Sequence, residues 1–293
     1  MSVKYYHLKV KEVVRETAEA VTIHFWHPLS EMIKYRPGQF LTLLLTIDGK
    51  KVRRSYSMCS SPHTDTAPAV TVKRVPGGLV SNWLNDQVKE GDFIEVMEPM
   101  GHFMVQPDAR NARTVVLIGA GSGITPLISI AKSILKVETE SRIVLLYGNR
   151  DENSIIFKEK LAELSQQFGE RFGLKYTLSQ PMTGWQGHVG RLNRPHILKL
   201  LEEVEGLQPT SAEYYLCGPD GMMEEAKSAL VLLKVNPEQI HKESFATVNT
   251  IGDVVEHEDD GSLKAQEITV IYEGSEYKFV VEPHQTILEA ALE

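Results

Sequence analysis

Two hydrophobic periods divide the chain. From residue 3 to about 107, short β-rich runs (YHLKVKEVVRE, AVTIHFWHP, QFLTLLLTI, AVTVKRV, DFIEVMEP) alternate with Gly, Pro and Asp punctuation. That spacing predicts an antiparallel β-barrel or sandwich. One stretch breaks the period: GGLVSNWLNDQ sets Leu79, Val80, Trp83 and Leu84 at helical spacing and predicts an inserted helix. Beyond Arg113 the apolar strands TVVLIG, RIVLLYG, LKYTLS and EYYLCG alternate with the amphipathic segments TPLISIAKSILK, IIFKEKLAELSQQF, RPHILKLLEE and DGMMEEAKSALVLL. Continuous apolar strands between helices predict a doubly wound parallel α/β sheet covered on both faces. After HKESFATV, the acidic and aperiodic NTIGDVVEHEDDGSLKAQ reads as a linker. The last segment, EITVIYEGSEYKFVVEPHQTILEAALE, reads as a hairpin followed by the opening of a helix, too short to bury a core alone. The expected organisation is 1–109 barrel, 110–246 α/β domain, 247–265 linker and 266–293 partial domain.

Composition narrows the partners. A formal net charge of -8 over 293 residues disfavours nucleic acid or an anionic membrane as the main partner. No apolar stretch is long enough to cross a bilayer, and MSVKYYHLKV lacks a charged-then-apolar signal pattern, so a cytoplasmic location is expected. Two cysteines, Cys59 and Cys217, cannot supply a structural zinc or a four-cysteine iron–sulfur cluster, so no metal ligands are assigned.

Chemistry concentrates in four places. In RRSYSMCSSP an extended backbone puts Arg54 and Tyr56 on one side and Ser57 on the other, a cation, an aromatic face and a hydroxyl suited to a flat anionic ligand. In VVLIGAGSGITPLISI, Gly119, Gly121 and Gly123 sit between a strand and a helix, where backbone amides can approach a pyrophosphate. The spacing is not the usual dinucleotide fingerprint, which disfavours a plain dehydrogenase; a tight structural turn is the alternative. Cys217, Gly218 and Pro219 fall at the carboxyl end of a strand, where open α/β sheets bind ligands, although an isolated cysteine there also reads as a small buried hydrophobe. Asn149 and Arg150 follow the second strand, where an arginine accommodates a 2′-phosphate and favours NADPH over NADH; Asp151 beside it leaves the choice open.

In this order, R-S-Y-S, GGLVS, GAGSGITP, YGNR and LCGPDGMM resemble the ferredoxin–NADP reductase superfamily across almost residues 3 to 246. EPMGHF, YGNR, HKESF and a final ILEAAL are most similar to the reductase components of bacterial phenylacetyl-CoA epoxidase and related ring oxygenases. The resemblance implies FAD in the barrel, with FMN as the alternative, and NADPH or NADH on the sheet. It assigns Arg54 to flavin phosphate, Tyr56 to the isoalloxazine face, Ser57 to flavin N5, and the backbone at Val72 and Lys73 to the ring edge. Gly78, Leu79 and Ser81 would hold the pyrophosphate; Gly121, Ser122, Gly123 and Thr125 the nicotinamide nucleotide. Cys217 would lie near nicotinamide C4, Glu243 by the hydride path, and Phe245 over part of the flavin.

The implied reaction takes hydride from NAD(P)H onto FAD and passes single electrons to a 2Fe-2S centre and then to a terminal oxygenase or ferredoxin-type acceptor. In the resembled reductases that centre sits in a plant-type ferredoxin domain, whose C-x4-C-x2-C run and distant fourth cysteine do not occur before Glu293. The cluster is therefore implied only if the natural chain continues past Glu293, which is the expectation, because a hairpin with a helix start has no evident stable purpose alone. The alternatives are a stand-alone ferredoxin or flavin reductase and a non-catalytic nucleotide-binding redox sensor.

Overall fold

The computed structural model describes residues 3–28, 32–245, 265–272, 275–282 and 290. Met1–Ala246 forms one compact unit and Thr247–Glu293 a second.

The first sheet comprises β1 (Tyr5–Thr17), β2 (Ala20–Phe25), β3 (Phe40–Ile47), β4 (Lys50–Ser57), β5 (Ala69–Lys73) and β6 (Phe93–Met97), with helix α1 (Leu79–Asp86) between the last two. Its order is β4-β3-β6-β1-β2-β5, and every pairing is antiparallel. The sheet is curled into a half-barrel whose edges meet where Met58, just past β4, bridges Val70 of β5. Alternate residues face the inside, as period-2 patterning requires: Leu41, Leu43, Leu45 and Ile47 from β3 meet Val21, Ile23 and Phe25 from β2 and Val70 and Val72 from β5. Val80 and Leu84 of α1 belong to the same core, which explains why a lone helix interrupts the strands. The β3–β4 hairpin turns through Asp48 and Gly49, both left-handed at φ 50° and 76°, the Asp-Gly turn that matches strand twist.

The second sheet comprises β7 (Thr114–Ala120), β8 (Arg142–Asn149), β9 (Phe172–Leu178), the two-residue β10 (His188–Val189), β11 (Glu213–Cys217) and β12 (Ile240–Glu243). It is parallel throughout in the order β10-β9-β8-β7-β11-β12. Helices α2 (Ile124–Val137) and α3 (Lys158–Phe168) cover one face, packing on Leu117, Leu145 and Tyr147; α4 (Arg194–Glu202) and α5 (Asp220–Leu232) cover the other, packing on Ile118, Leu146 and Leu216. Strands are added outward on one side of β7 as far as β10 and then on its other side from β11. Such folds open a ligand crevice at that reversal, at the strands' carboxyl ends.

Two elements differ from the hydrophobic pattern. Helix α3 starts at Lys158 rather than at Ile155, because Phe157 is left-handed at φ 62° and Ile155, Ile156 and Phe157 are buried as an apolar anchor. Strand β12, too short and polar to read as a strand, is added by pairing with β11. No helix among the described residues is long and apolar enough to cross a membrane. In the C-terminal unit, β13 (Gln266–Tyr272) and β14 (Ser275–Val281) form the expected antiparallel hairpin. All of the linker expected over 247–265 except its last residue, and most of the expected helix opening in ILEAALE, lie outside the described residues.

Candidate cofactor and electron-transfer site

The carboxyl end of the parallel sheet is built by glycines that allow backbone to touch backbone. Cys217 pairs in register with Gly119 on one side and with Glu243 on the other. A Cβ at Gly123 would lie 1.9 Å from the Cys217 carbonyl oxygen, and one at Gly119 would lie 2.6 Å from Leu127 Cδ1. The turn after β7 is thereby seated against the loop Cys217–Pro219, and only glycine permits it. Inside the turn, Thr125 Oγ1 donates to the Ser122 carbonyl at 3.0 Å, so this hydroxyl shapes the loop rather than pointing outward. The buried Tyr147 hydroxyl donates to the Gly121 carbonyl at 2.9 Å, a brace that sequence reasoning missed although Tyr147 opens the YGNR motif. What the turn offers a ligand is its backbone amides and the positive end of α2.

Burial sets the protonation here. It pushes the Cys217 thiol well above its ordinary range, and the neighbouring Glu243 carboxylate adds to the effect, so Cys217 is a neutral thiol. Burial also raises Glu243, opposed by the charge of His102. Asn149, at the end of β8, has its amide beside the Tyr147 hydroxyl, and among the described residues neither its buried nitrogen nor its buried oxygen reaches a partner in good hydrogen-bond geometry. Arg150 next to it is well exposed and donates from Nε to Asp151 Oδ2 at 2.9 Å, while Asp151 Oδ1 caps Ser154.

On the barrel, Arg54 and Tyr56 share one face of β4, as the alternation required, and Ser57 is 5% exposed. Among the described residues Arg54 has no acidic partner; its guanidinium donates to the Arg53 carbonyl at 2.9 Å. The Tyr56 phenol is held far above its ordinary range by burial. Gly78 precedes α1, where a Cβ would lie 2.7 Å from Ser81 Oγ, and Ser81 Oγ accepts from the Val75 amide at 3.0 Å. The Ser81 hydroxyl is thus a brace for the helix entrance, which leaves backbone amides at Leu79 and beyond for an anion. Asn85 fixes the Val72 carbonyl with a 3.1 Å hydrogen bond.

Lys73 connects the two halves. Its Nζ lies 3.4 Å from the Cβ position of Gly121, and burial together with the charge of Arg150 lowers its pKa. The sequence pointed only to the Lys73 backbone; the ammonium group is a further cation at the glycine turn. Phe245, two residues past β12, is 41% exposed. No hydrogen bond or ion pair among the described residues links it, or Arg54, to that turn.

These residues fit the two cofactors the motifs imply. The glycine turn is a cradle that a Cβ would fill, and among the described residues Asn149 presents a buried amide without a partner and Arg54 and Lys73 are cations without a carboxylate bonded to them.

Comparison with known proteins agrees with the geometry. Residues 6–105 match the oxidoreductase FAD-binding domain and residues 117–228 the oxidoreductase NAD-binding domain. The chain is 35% identical to one of the subunits of 1,2-phenylacetyl-CoA epoxidase of Escherichia coli, over 98% of this chain and 80% of the relative. It is 38% identical to the ferredoxin reductase component of 3-ketosteroid-9-alpha-monooxygenase of Mycobacterium tuberculosis, over 83% of this chain and 66% of that protein. A ferredoxin NADP+ reductase from Neisseria gonorrhoeae, solved with FAD and NADP, shares the fold at TM-score 0.70 and 21% identity, over 83% of this chain and all of that one. The chain has the fold of a ferredoxin NADP+ reductase and belongs to the FAD- and NAD-binding oxidoreductases, the family that includes reductase components of oxygenase systems.

Proposed function

We propose that this chain takes hydride from NAD(P)H onto FAD and passes single electrons to a 2Fe-2S centre serving a terminal oxygenase, or to a separate ferredoxin-type acceptor. The observation that carries the reading is the approach of Lys73 of the barrel to the Gly121 turn, which is itself seated on Cys217 and Gly218. A residue beside the barrel's flavin motif thereby reaches the turn that the nucleotide motif forms.

When bound, the flavin supplies the conversion of a two-electron donor into one-electron steps. The chain's residues bind, orient and shield. Arg54 and the start of α1 at Gly78, Leu79 and Ser81 hold phosphates, Tyr56 gives the flat ring a wall, and the fixed backbone at Val72 and Lys73 borders it. Ser57 holds a hydrogen bond at N5. The amides of Gly121, Ser122 and Gly123, with Thr125 closing the turn, hold the nicotinamide nucleotide, with Gly218 and Pro219 as the facing wall. Cys217, fully buried and neutral, keeps water from the reacting carbon without acting as a nucleophile. Glu243 borders the same path and Phe245 covers part of the ring. Asn149 satisfies its orphaned amide on the nucleotide, and Arg150 meets a 2′-phosphate, which favours NADPH over NADH.

One named relative is a subunit of an acyl-CoA epoxidase and another the ferredoxin reductase component of a steroid monooxygenase, and an oxygenase of that general kind is the proposed electron acceptor. The test is anaerobic mixing of the purified chain with NADPH and, separately, NADH, followed by an external one-electron acceptor. Bleaching of the flavin band and recovery on adding acceptor are expected, faster with NADPH. Ser57→Ala should keep its flavin and reduce it about ten- to a thousandfold more slowly, the range for one positioned donor. A flavin band that neither nucleotide bleaches would end this reading.

A further inference from the structure

Helix α2 is apolar on most sides, yet it carries one buried polar stripe. Ser129, Lys132 and Ser133 lie three and four residues apart, on one helix face, and are 0%, 8% and 0% exposed. All three reach the segment that follows β4. Ser129 Oγ donates to the Ser60 carbonyl at 2.6 Å, Ser133 Oγ lies 2.7 Å from Ser61 Oγ, and the Lys132 ammonium pairs with the Asp65 carboxylate. Because the Ser133 hydroxyl proton goes to the Ser129 carbonyl at 2.7 Å, Ser61 is the donor between the two serines. The barrel side is braced as well: Ser60 Oγ accepts from the Ala69 amide and the Tyr35 hydroxyl, and the Ser61 amide donates to Asp65.

Both sides of this seam lead to the site. Ser60 stands three residues after Ser57, about 10 Å of extended chain at ~3.3 Å per residue. Ser129 stands six residues after Gly123, about 9 Å along a helix at ~1.5 Å per residue. Two short arms therefore join the end of the flavin strand to the nucleotide turn. Apolar contact is non-directional and would let a helix face slide, whereas hydrogen bonds and a half-buried ion pair fix one register, even though such a pair is a poor way to gain stability. Hydride transfer rewards such fixing: the reacting atoms must approach to about 3–3.5 Å, and a displacement of about 1 Å can lower the rate about a hundredfold.

We infer that Ser129, Lys132 and Ser133, with Ser60, Ser61 and Asp65, are positioning residues that set the separation of flavin and nicotinamide. The inference rests on the NAD(P)H-to-FAD reading. Its test compares wild type with Ser133→Ala, with the apolar pair Lys132→Met/Asp65→Leu, and with the charge-exchanged pair Lys132→Asp/Asp65→Lys. Flavin content and the Kd for NADPH should match wild type. At saturating NADPH the flavin-reduction rate should fall about tenfold in Ser133→Ala and about a hundredfold in the apolar pair, with partial recovery in the exchanged pair. The deuterium isotope effect with NADPH labelled at C4 should rise as the rate falls. In flavin-free protein, amide exchange over residues 60–65 should quicken in the apolar pair while β7 and β8 stay protected. Variants that retain flavin and reduce it at the wild-type rate and isotope effect overturn the proposal. So does loss of flavin from all three, which would make the seam a folding element. A wild type that NADPH does not bleach instead overturns the hydride reading itself, and the positioning role with it.

Discussion

At the N-terminal edge of the parallel sheet, Glu138 is enclosed by donors; at the carboxyl edge, Glu243 is not. The Glu138 side chain is 0% exposed and receives Arg113 Nη2 at 2.8 Å and Nε at 3.1 Å, Asn111 Nδ2 at 2.9 Å and Ser141 Oγ at 2.7 Å. Burial raises its pKa, yet these hydrogen bonds and the Arg113 charge hold the carboxyl below its ordinary range. Arg113 also forks onto both oxygens of Glu213, at 2.7 and 2.8 Å, and so ties β7 to β11. At the other edge burial prevails: Glu243 is raised, Cys217 is kept neutral, and among the described residues neither amide atom of Asn149 has a well-formed hydrogen bond. Within one sheet, the satisfied carboxylate ties strands together, while among the described residues the carboxyl edge carries the buried amide of Asn149 without a partner, as ligand sites do.

The largest expected effect comes from removing the donor at the satisfied edge. Arg113→Ala leaves Glu138 buried without its cation and should lower stability by about 3–5 kcal/mol, the usual result of breaking one side of a buried pair. Urea unfolding measures it. The folded pKa of Glu138 lies below its ordinary 4.5, so its contribution is complete above that value and is lost as pH falls through the folded value. The wild type should therefore lose stability in acid more steeply than Arg113→Ala, while flavin reduction at neutral pH, measured where the variant is folded, stays near wild type. An equal loss of nucleotide response would break the division between the two edges.

Next is Gly123→Ala at the site edge. The added carbon would fall 1.9 Å from a backbone oxygen, which cannot swing aside as a side chain could, so the turn must lift from Cys217. Overpacking of this kind typically costs about 1–3 kcal/mol, and here the displaced element is the nucleotide turn itself. NADP+ binding should be lost at temperatures where circular dichroism shows the fold intact. Wild-type binding would mean that the close backbone approach is not needed for the ligand.

Much of this division was legible in the residues. Period-2 alternation in FLTLLLTI and unbroken apolarity in RIVLLYG distinguish the curled antiparallel sheet from the covered parallel one, because one face of the first and both faces of the second are buried. The glycine turn was legible because Gly119, Gly121 and Gly123 stand between a strand and a helix. The Lys73 ammonium was not, because its importance arises from Gly121, 48 positions later, and no local pattern encodes that approach. Glu138 was invisible for the same reason: in KVETES it is one acid among several, and only the fold delivers Arg113 and Asn111 to it. Helix α3 misled because an apolar anchor and an apolar helix turn share one composition, and a left-handed Phe157 separates them.

The smallest effect is the one that most sharpens the comparison. Glu243→Gln replaces a carboxyl whose folded pKa lies above its ordinary 4.5, so the wild-type group favours the folded state most below that value and loses this contribution as pH rises through the raised folded value. The amide removes that slope. Thermal unfolding of cofactor-free protein should give equal midpoints near pH 4 and a variant higher by no more than about 2 °C near pH 8. Glu138→Gln should do the reverse, with little change in strong acid and a marked loss near pH 8, because it discards an ion that the fold stabilises. Two glutamates in one sheet would then differ in the sign of their pH dependence, with burial raising both and only the donors around Glu138 overriding it. Parallel slopes would show that the carboxyl edge holds its charge as securely as the other, and a site poised by unsatisfied groups would lose its physical basis.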